Sequence, residues 1–191
     1  MVIVSEQPQQ RKKIHPHKFT LWVAIGSIIM MFAGLTSAYI VKSNQAGWQP
    51  ISMPQVFWYS TAVIVLSSIV MQTALRSFKQ REMNQYRVLM VTTFLLGIVF
   101  IVLQWFGFQQ LWNSGVQFKG ASGAGQFLYV IAGLHAVHVF GGVIALFIMS
   151  LKAFFGSKKL YSSVPVELVT TYWHFVDLLW IYLLVFFLWM G

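Results

Sequence analysis

The feature that most constrains this chain is a succession of long stretches with almost no formal charge. From Phe19 to Val41 there are 23 residues without an Asp, Glu, Lys or Arg. At about 1.5 Å per helical residue they reach roughly 34 Å, more than the hydrocarbon core of about 30 Å. Gln55 to Leu75, Val88 to Phe108, Gln126 to Leu151 and Leu168 to Met190 have the same character, Asp177 being the exception in the last, and all are rich in Val, Ile, Leu and Phe. Only 9% of the 191 residues are charged while 58% are apolar or aromatic, against about 25% charged in ordinary globular chains. A water-soluble domain is excluded on that balance. The expected fold is an all-α integral membrane protein, a bundle of five transmembrane helices at about 19–41, 55–75, 88–108, 126–151 and 168–190. Residues 1–18 form a basic cytoplasmic tail, and 19–191 a single transmembrane domain.

Where the basic residues fall gives an orientation. Arg11, Lys12, Lys13 and Lys18 precede the first span, Arg76, Lys79, Arg81 and Arg87 follow the second, and Lys152, Lys158 and Lys159 follow the fourth. The opposite side has only Lys42 and Lys119. Eleven against two, alternating from one connection to the next, predicts the N-terminus inside and the C-terminus outside. The net charge of +9 therefore points to an anionic membrane leaflet as partner and not to nucleic acid. Arg76, Arg87 and Lys152, at inner helix ends, are candidate contacts for lipid head groups. The first apolar run exceeds the h-region of about 7 to 15 residues of a signal peptide, so it is expected to remain as a helix. Segments with Gly47, Pro50 and Pro54, and with the run Gly120 Ala121 Ser122 Gly123 Ala124 Gly125, read as loops.

Chemistry must be sought among the few polar groups at membrane depth, where an ionisable side chain is costly. They are His135 and His138 in the fourth span, His174 and Asp177 in the fifth, and Glu167 at its entry. Each pair is spaced i, i+3 and so shares a helix face. Counted from the helix ends, His138 and Asp177 fall at similar depth, which makes a His–Asp partnership geometrically open, either as a proton relay or ligand pair, or as an interhelical hydrogen bond that fixes packing. Two imidazoles on facing helices would also meet the needs of a b-type haem. With no cysteine, thiolate metal sites and iron–sulfur clusters are excluded. Gly120 Ala121 Ser122 Gly123 matches a G-x-S-G protease motif, but it sits in a loop beside Lys119. His15 Pro16 His17 has no third ligand nearby and reads as a juxtamembrane tail.

Two stretches carry a resemblance. Ala132 Gly133 Leu134 His135 Ala136 Val137 His138 Val139 resembles the Thr-Gly-Phe-His-Gly-Leu-His-Val stretch of subunit III of the haem-copper respiratory oxidases. Tyr172 Trp173 His174 Phe175 Val176 Asp177 Leu178 Leu179 Trp180 is similar to that family's Tyr-Trp-His-Phe-Val-Asp-Val-Val-Trp signature, and Glu167 falls where the family has its Phe-Glu. Weaker similarity at Phe32 Ala33 Gly34 Leu35, Ala38 Tyr39, Ser67 Ser68, Leu96 Gly97 and Gln104 extends it over the chain from about residue 15, in the short five-helix form of the family. Two usual carboxylates are missing: Ser27 is followed by Ile28, and Gln104 is followed three residues on by Gly107.

The resemblance implies an accessory, non-redox subunit of a proton-pumping oxidase that reduces O2 to water. Such a subunit holds no haem and no copper, packs against the catalytic subunit I and the other oxidase subunits, and binds phospholipid. A bacterial inner membrane is the implied location. The alternatives are a small bis-His b-type membrane cytochrome and a small membrane transporter.

Overall fold

The computed structural model describes residues 16–44, 48, 51, 53–116, 123–155 and 163–190. Most of the basic N-terminal tail, Lys119, the residues 120–122 of the G-x-S-G motif, and Lys158 and Lys159 lie outside the described residues. Five helices make up the fold: α1 (Pro16–Ser43), α2 (Val56–Lys79), α3 (Met83–Asn113), α4 (Gly123–Phe155) and α5 (Val164–Met190). All are long and apolar enough to cross a membrane.

Most of the helices outrun the uncharged stretches that announced them. α2 continues through Arg76 and Lys79, α3 starts five residues earlier and ends five later, and α4 takes in Gly123, Ala124 and Gly125, which the sequence assigned to a loop. The physical reason is that a helix satisfies its own backbone groups whether or not lipid surrounds it, while Lys and Arg near a helix end extend their heads to water. The α2–α3 connection thereby shrinks to Gln80–Glu82. It closes with Gln80 N–H donating to Arg76 O and Glu82 N–H to Ser77 O, both at 3.0 Å. Arg81 takes a left-handed φ of 65° there, a position usually given to glycine.

α2, α3, α4 and α5 form a ring in which each packs on the next, and α1 lies in the groove between α4 and α5, touching neither α2 nor α3 through its backbone. α5 is accordingly the most buried helix and α1 the least. α1 buries a single stripe, Ile25, Phe32, Thr36 and Tyr39, spaced 7, 4 and 3. Such spacing returns to the same side of a helix.

Trp173 sits at the centre of the ring and is fully buried. Its indole N–H donates to Ser67 Oγ on α2 at 3.1 Å. Its ring lies against Gly97 of α3 and Gly142 of α4, where an added Cβ would come within 3.0 Å of indole carbons on both sides. Two glycines thus let α3 and α4 close on a large aromatic, the way small residues admit close approach between membrane helices. One turn pair further along α5, Trp180 donates to Thr61 Oγ1 on α2 at 2.9 Å.

Candidate functional site

The polar groups of α5 form a file facing α2. Glu167, Thr171, His174 and Asp177 follow at intervals of 4, 3 and 3, spacings that keep them on one side of the helix. Glu167 opens the file at the end of the bundle where α1 begins and α2 ends. It accepts from Lys18 Nζ at 2.6 Å and from Lys79 Nζ at 3.3 Å, so one carboxylate joins three helices. α5 begins there as well, with Pro165 in its first turn, where the missing N–H costs nothing. At this ion pair, Lys18, Leu21, Trp22, Leu75, Glu167, Leu168 and Thr171 line a cleft of about 290 Å³ between α1, α2 and α5.

His174 is held on both nitrogens by α2, with Ser68 Oγ at 2.5 Å from Nδ1 and Gln72 Oε1 at 3.2 Å from Nε2. An amide oxygen only accepts, so Nε2–H donates to Gln72, and Nδ1 accepts from the Ser68 hydroxyl. The tautomer is fixed by its neighbours. With both nitrogens engaged, His174 has none left for a haem iron. Among the described residues, no group of three or more His, Cys, Asp or Glu is placed to hold a metal ion.

Asp177 departs from the expected pairing. It is 3% exposed, and neither carboxyl oxygen has a hydrogen-bond partner among the described residues. It sits midway along α5, as His138 does along α4, yet the two do not pair. His138 turns Nδ1–H onto Leu134 O of its own helix at 2.7 Å and faces Phe32 of α1. Its backbone carbonyl accepts from Tyr172 at 3.1 Å, which ties α5 to α4. Ser68 is the polar side chain beside the Asp177 carboxyl, but its proton is committed to His174.

His135 and His138 also part company. A spacing of three residues leaves side chains about 60° apart around a helix, enough here to place them in different interfaces. His135 is 2% exposed, stacks on Trp180 at 5.3 Å between ring centroids and has no partner on either nitrogen. It faces a cleft between α3 and α4 that also holds Gln104.

The lipid candidates gather at the basic end. Arg76 and Lys152 are exposed. Arg87 is partly committed, its Nε–H donating to Ala153 O at 2.7 Å and its guanidinium lying 5.9 Å from the Phe154 ring centroid. It thereby satisfies one of the open carbonyls in the last turn of α4.

Sequence reasoning missed Ser68 and Gln72 as partners of His174, and Lys18 and Lys79 as partners of Glu167. Gln72 carries no charge to mark it among ionisable groups at depth, and Lys18 and Lys79 double as topology charges. A Gln inside an otherwise apolar span was the available signal.

Comparison with known proteins now bears on this bundle. The family model described as cytochrome c oxidase subunit III matches residues 15–191. A probable cytochrome c oxidase subunit 3 of Mycobacterium leprae is 32% identical over 164 residues, covering 83% of this chain and 80% of that one. A counterpart bearing the same description in Mycobacterium tuberculosis strain H37Rv is 28% identical over 180 residues and 88% of each chain. The cytochrome c oxidase subunit 3 of Bacillus sp. PS3 is 25% identical over 167 residues, 85% of this chain and 80% of that one. The match spans all five helices and includes the α5 file, and the chain therefore belongs to the cytochrome c oxidase subunit III family, as an accessory membrane subunit of a haem-copper oxidase.

Proposed function

We propose that this subunit docks on the catalytic subunit of a proton-pumping terminal oxidase in a bacterial inner membrane, with its N-terminus inside. There it steadies the core through many turnovers and holds phospholipid at its basic end. The observation that carries the reading is the family match over residues 15–191 on a bundle in which three polar side chains of α5 tie helix to helix. His174 engages α2, Glu167 engages α1 and α2, and Tyr172 engages α4. In this reading Glu167 and His174 hold the subunit in shape and on its partner, and the oxygen chemistry belongs to the neighbouring haem- and copper-bearing subunit. The described helices are unbroken, which speaks against a transporter built on discontinuous spans.

Lipid binding has a physical basis in the same frame. Arg76, Arg87 and Lys152 stand at helix ends where each adds about 1 kcal/mol of attraction to an anionic surface.

Purification of the chain in mild detergent tests the assignment. A partner carrying haem and copper is expected to accompany it, and a lone chain that reconstitutes transport in vesicles would overturn the reading. Phospholipid retained in full by an Arg76→Ala, Arg87→Ala double variant would remove the head-group role from these positions.

A further inference from the structure

Asp177 is a carboxyl in the middle of the bundle with no cation to meet. It is 3% exposed, and neither oxygen reaches the surface or has a hydrogen-bond partner among the described residues. α5 packs on α1, α2 and α4, and the basic groups described on those helices are engaged elsewhere or stand at helix ends. Lys18 of α1 and Lys79 of α2 meet Glu167 at the start of α5. On α4, His138 turns to Leu134 O and His135 stacks on Trp180. His17, Lys42, Arg76 and Lys152 all lie in a first or last helical turn. A neighbouring subunit cannot bring the missing cation, because this chain already covers both oxygens. An ionised Asp177 would therefore be an uncompensated charge at membrane depth, and a carboxyl so placed keeps its proton.

That proton has one polar side chain to point at. Ser68 of α2 lies beside the carboxyl, and its own hydrogen goes to His174 Nδ1 at 2.5 Å. The direction of that bond is set from the far side of the ring, where Nε2–H must donate to the amide oxygen of Gln72. Ser68 consequently has no hydrogen to give Asp177. Its oxygen still has a lone pair to accept with. The terminal torsion of an Asp side chain is broad, so the carboxyl reaches that lone pair by turning in place.

We propose that Asp177 is a neutral acid that donates its proton to Ser68 Oγ, and so heads a one-way hydrogen-bond chain running from Asp177 through Ser68 and His174 to Gln72. The chain crosses the seam between α5 and α2 three times. Every link leans the same way, so each bond polarises the next. Ser68 keeps its bond to His174 whether or not the acid donates, and the acid therefore tightens the seam without being required for it. The assignment is independent of the oxidase role, since it uses only groups of this chain.

Infrared spectroscopy at neutral pH tests it on the membrane complex purified through this subunit in mild detergent. In a difference spectrum of wild type against Asp177→Asn, the other carboxyls of the complex cancel. Asn keeps the size of the side chain, and subunit content shows that the variant assembles. The expected loss is a C=O stretch of a neutral carboxylic acid, above the amide I band, with no carboxylate band lost. Ser68→Ala reads the same proton without altering Asp177. Removing the acceptor should shift the acid band to higher frequency. A carboxylate band lost in Asp177→Asn overturns the neutral acid, and an acid band that Ser68→Ala leaves unmoved overturns the donation to Ser68.

Discussion

Replacing Gly142 by Ala should destabilise the bundle through one identifiable collision. The new Cβ would lie 3.0 Å from Cε3 and from Cζ3 of Trp173, closer than carbon atoms pack at their optimum of about 3.5 to 4.0 Å. The indole has little room to retreat. The same ring packs close to Gly97, where an added Cβ would lie 3.0 Å from Cη2, and its nitrogen is held by Ser67. Overpacking of this kind costs about 1 to 3 kcal/mol, and for a fully buried ring a value of about 2 kcal/mol is expected. Trp173→Phe should itself be destabilising, through a lost interhelical hydrogen bond of about 0.6 kcal/mol and the space left by the smaller ring. It also removes the indole carbons that Ala would strike. The two substitutions should therefore couple favourably, by at least about 1 kcal/mol, within the range seen for residues in contact. Unfolding of the reconstituted subunit in an SDS titration, for wild type, both single variants and the double variant, measures each term. A Gly142→Ala cost that is the same with Phe or Trp at 173 would refute the wedge, as would no cost at all.

Glu167→Gln should loosen α1, with an effect that shrinks as salt is raised. The two lysines are 42% and 56% exposed, so each pair contributes no more than about 0.5 kcal/mol, and protease sensitivity of the N-terminal segment at low and high salt reads it. Asp177→Leu should assemble as well as Asp177→Asn, because the carboxyl has no described partner to strand and an apolar side chain of similar size removes the cost of burying it. Subunit content of the purified complex decides, and loss with Leu alone would reveal a hydrogen bond essential to packing. A single cysteine at Asn44 should react with an impermeant thiol reagent from outside and one at Gln80 should not, the natural chain having no thiol to compete; the reverse pattern would invert the orientation. Arg81→Gly should be neutral or stabilising by up to about 1 kcal/mol, since it relieves a left-handed residue that carries a side chain, and thermal unfolding of the complex would show a lower midpoint if that reasoning failed.

The sequence by itself determined the number of helices, their approximate limits and their immersion in a membrane. Charge-free length is a one-dimensional property, and hydrocarbon tolerates little else. The family was equally legible, because Tyr172 to Trp180 is a contiguous string. What it left open was which groups meet. Helical spacing fixes the angle between His135 and His138, or between His174 and Asp177, but not which neighbour occupies each sector, and α5 is touched by α1, α2 and α4 at once. In a soluble helix an apolar stripe would mark the buried side. Here lipid-facing and protein-facing residues are alike apolar, so the pattern carries little direction. Only the tertiary structure could place His174 on Ser68 and Gln72, turn His138 away from Asp177, and stack His135 on Trp180. Those outcomes depend on how neighbouring helices close on one another, as α3 and α4 do around Trp173 at Gly97 and Gly142, and that is written in no single helix.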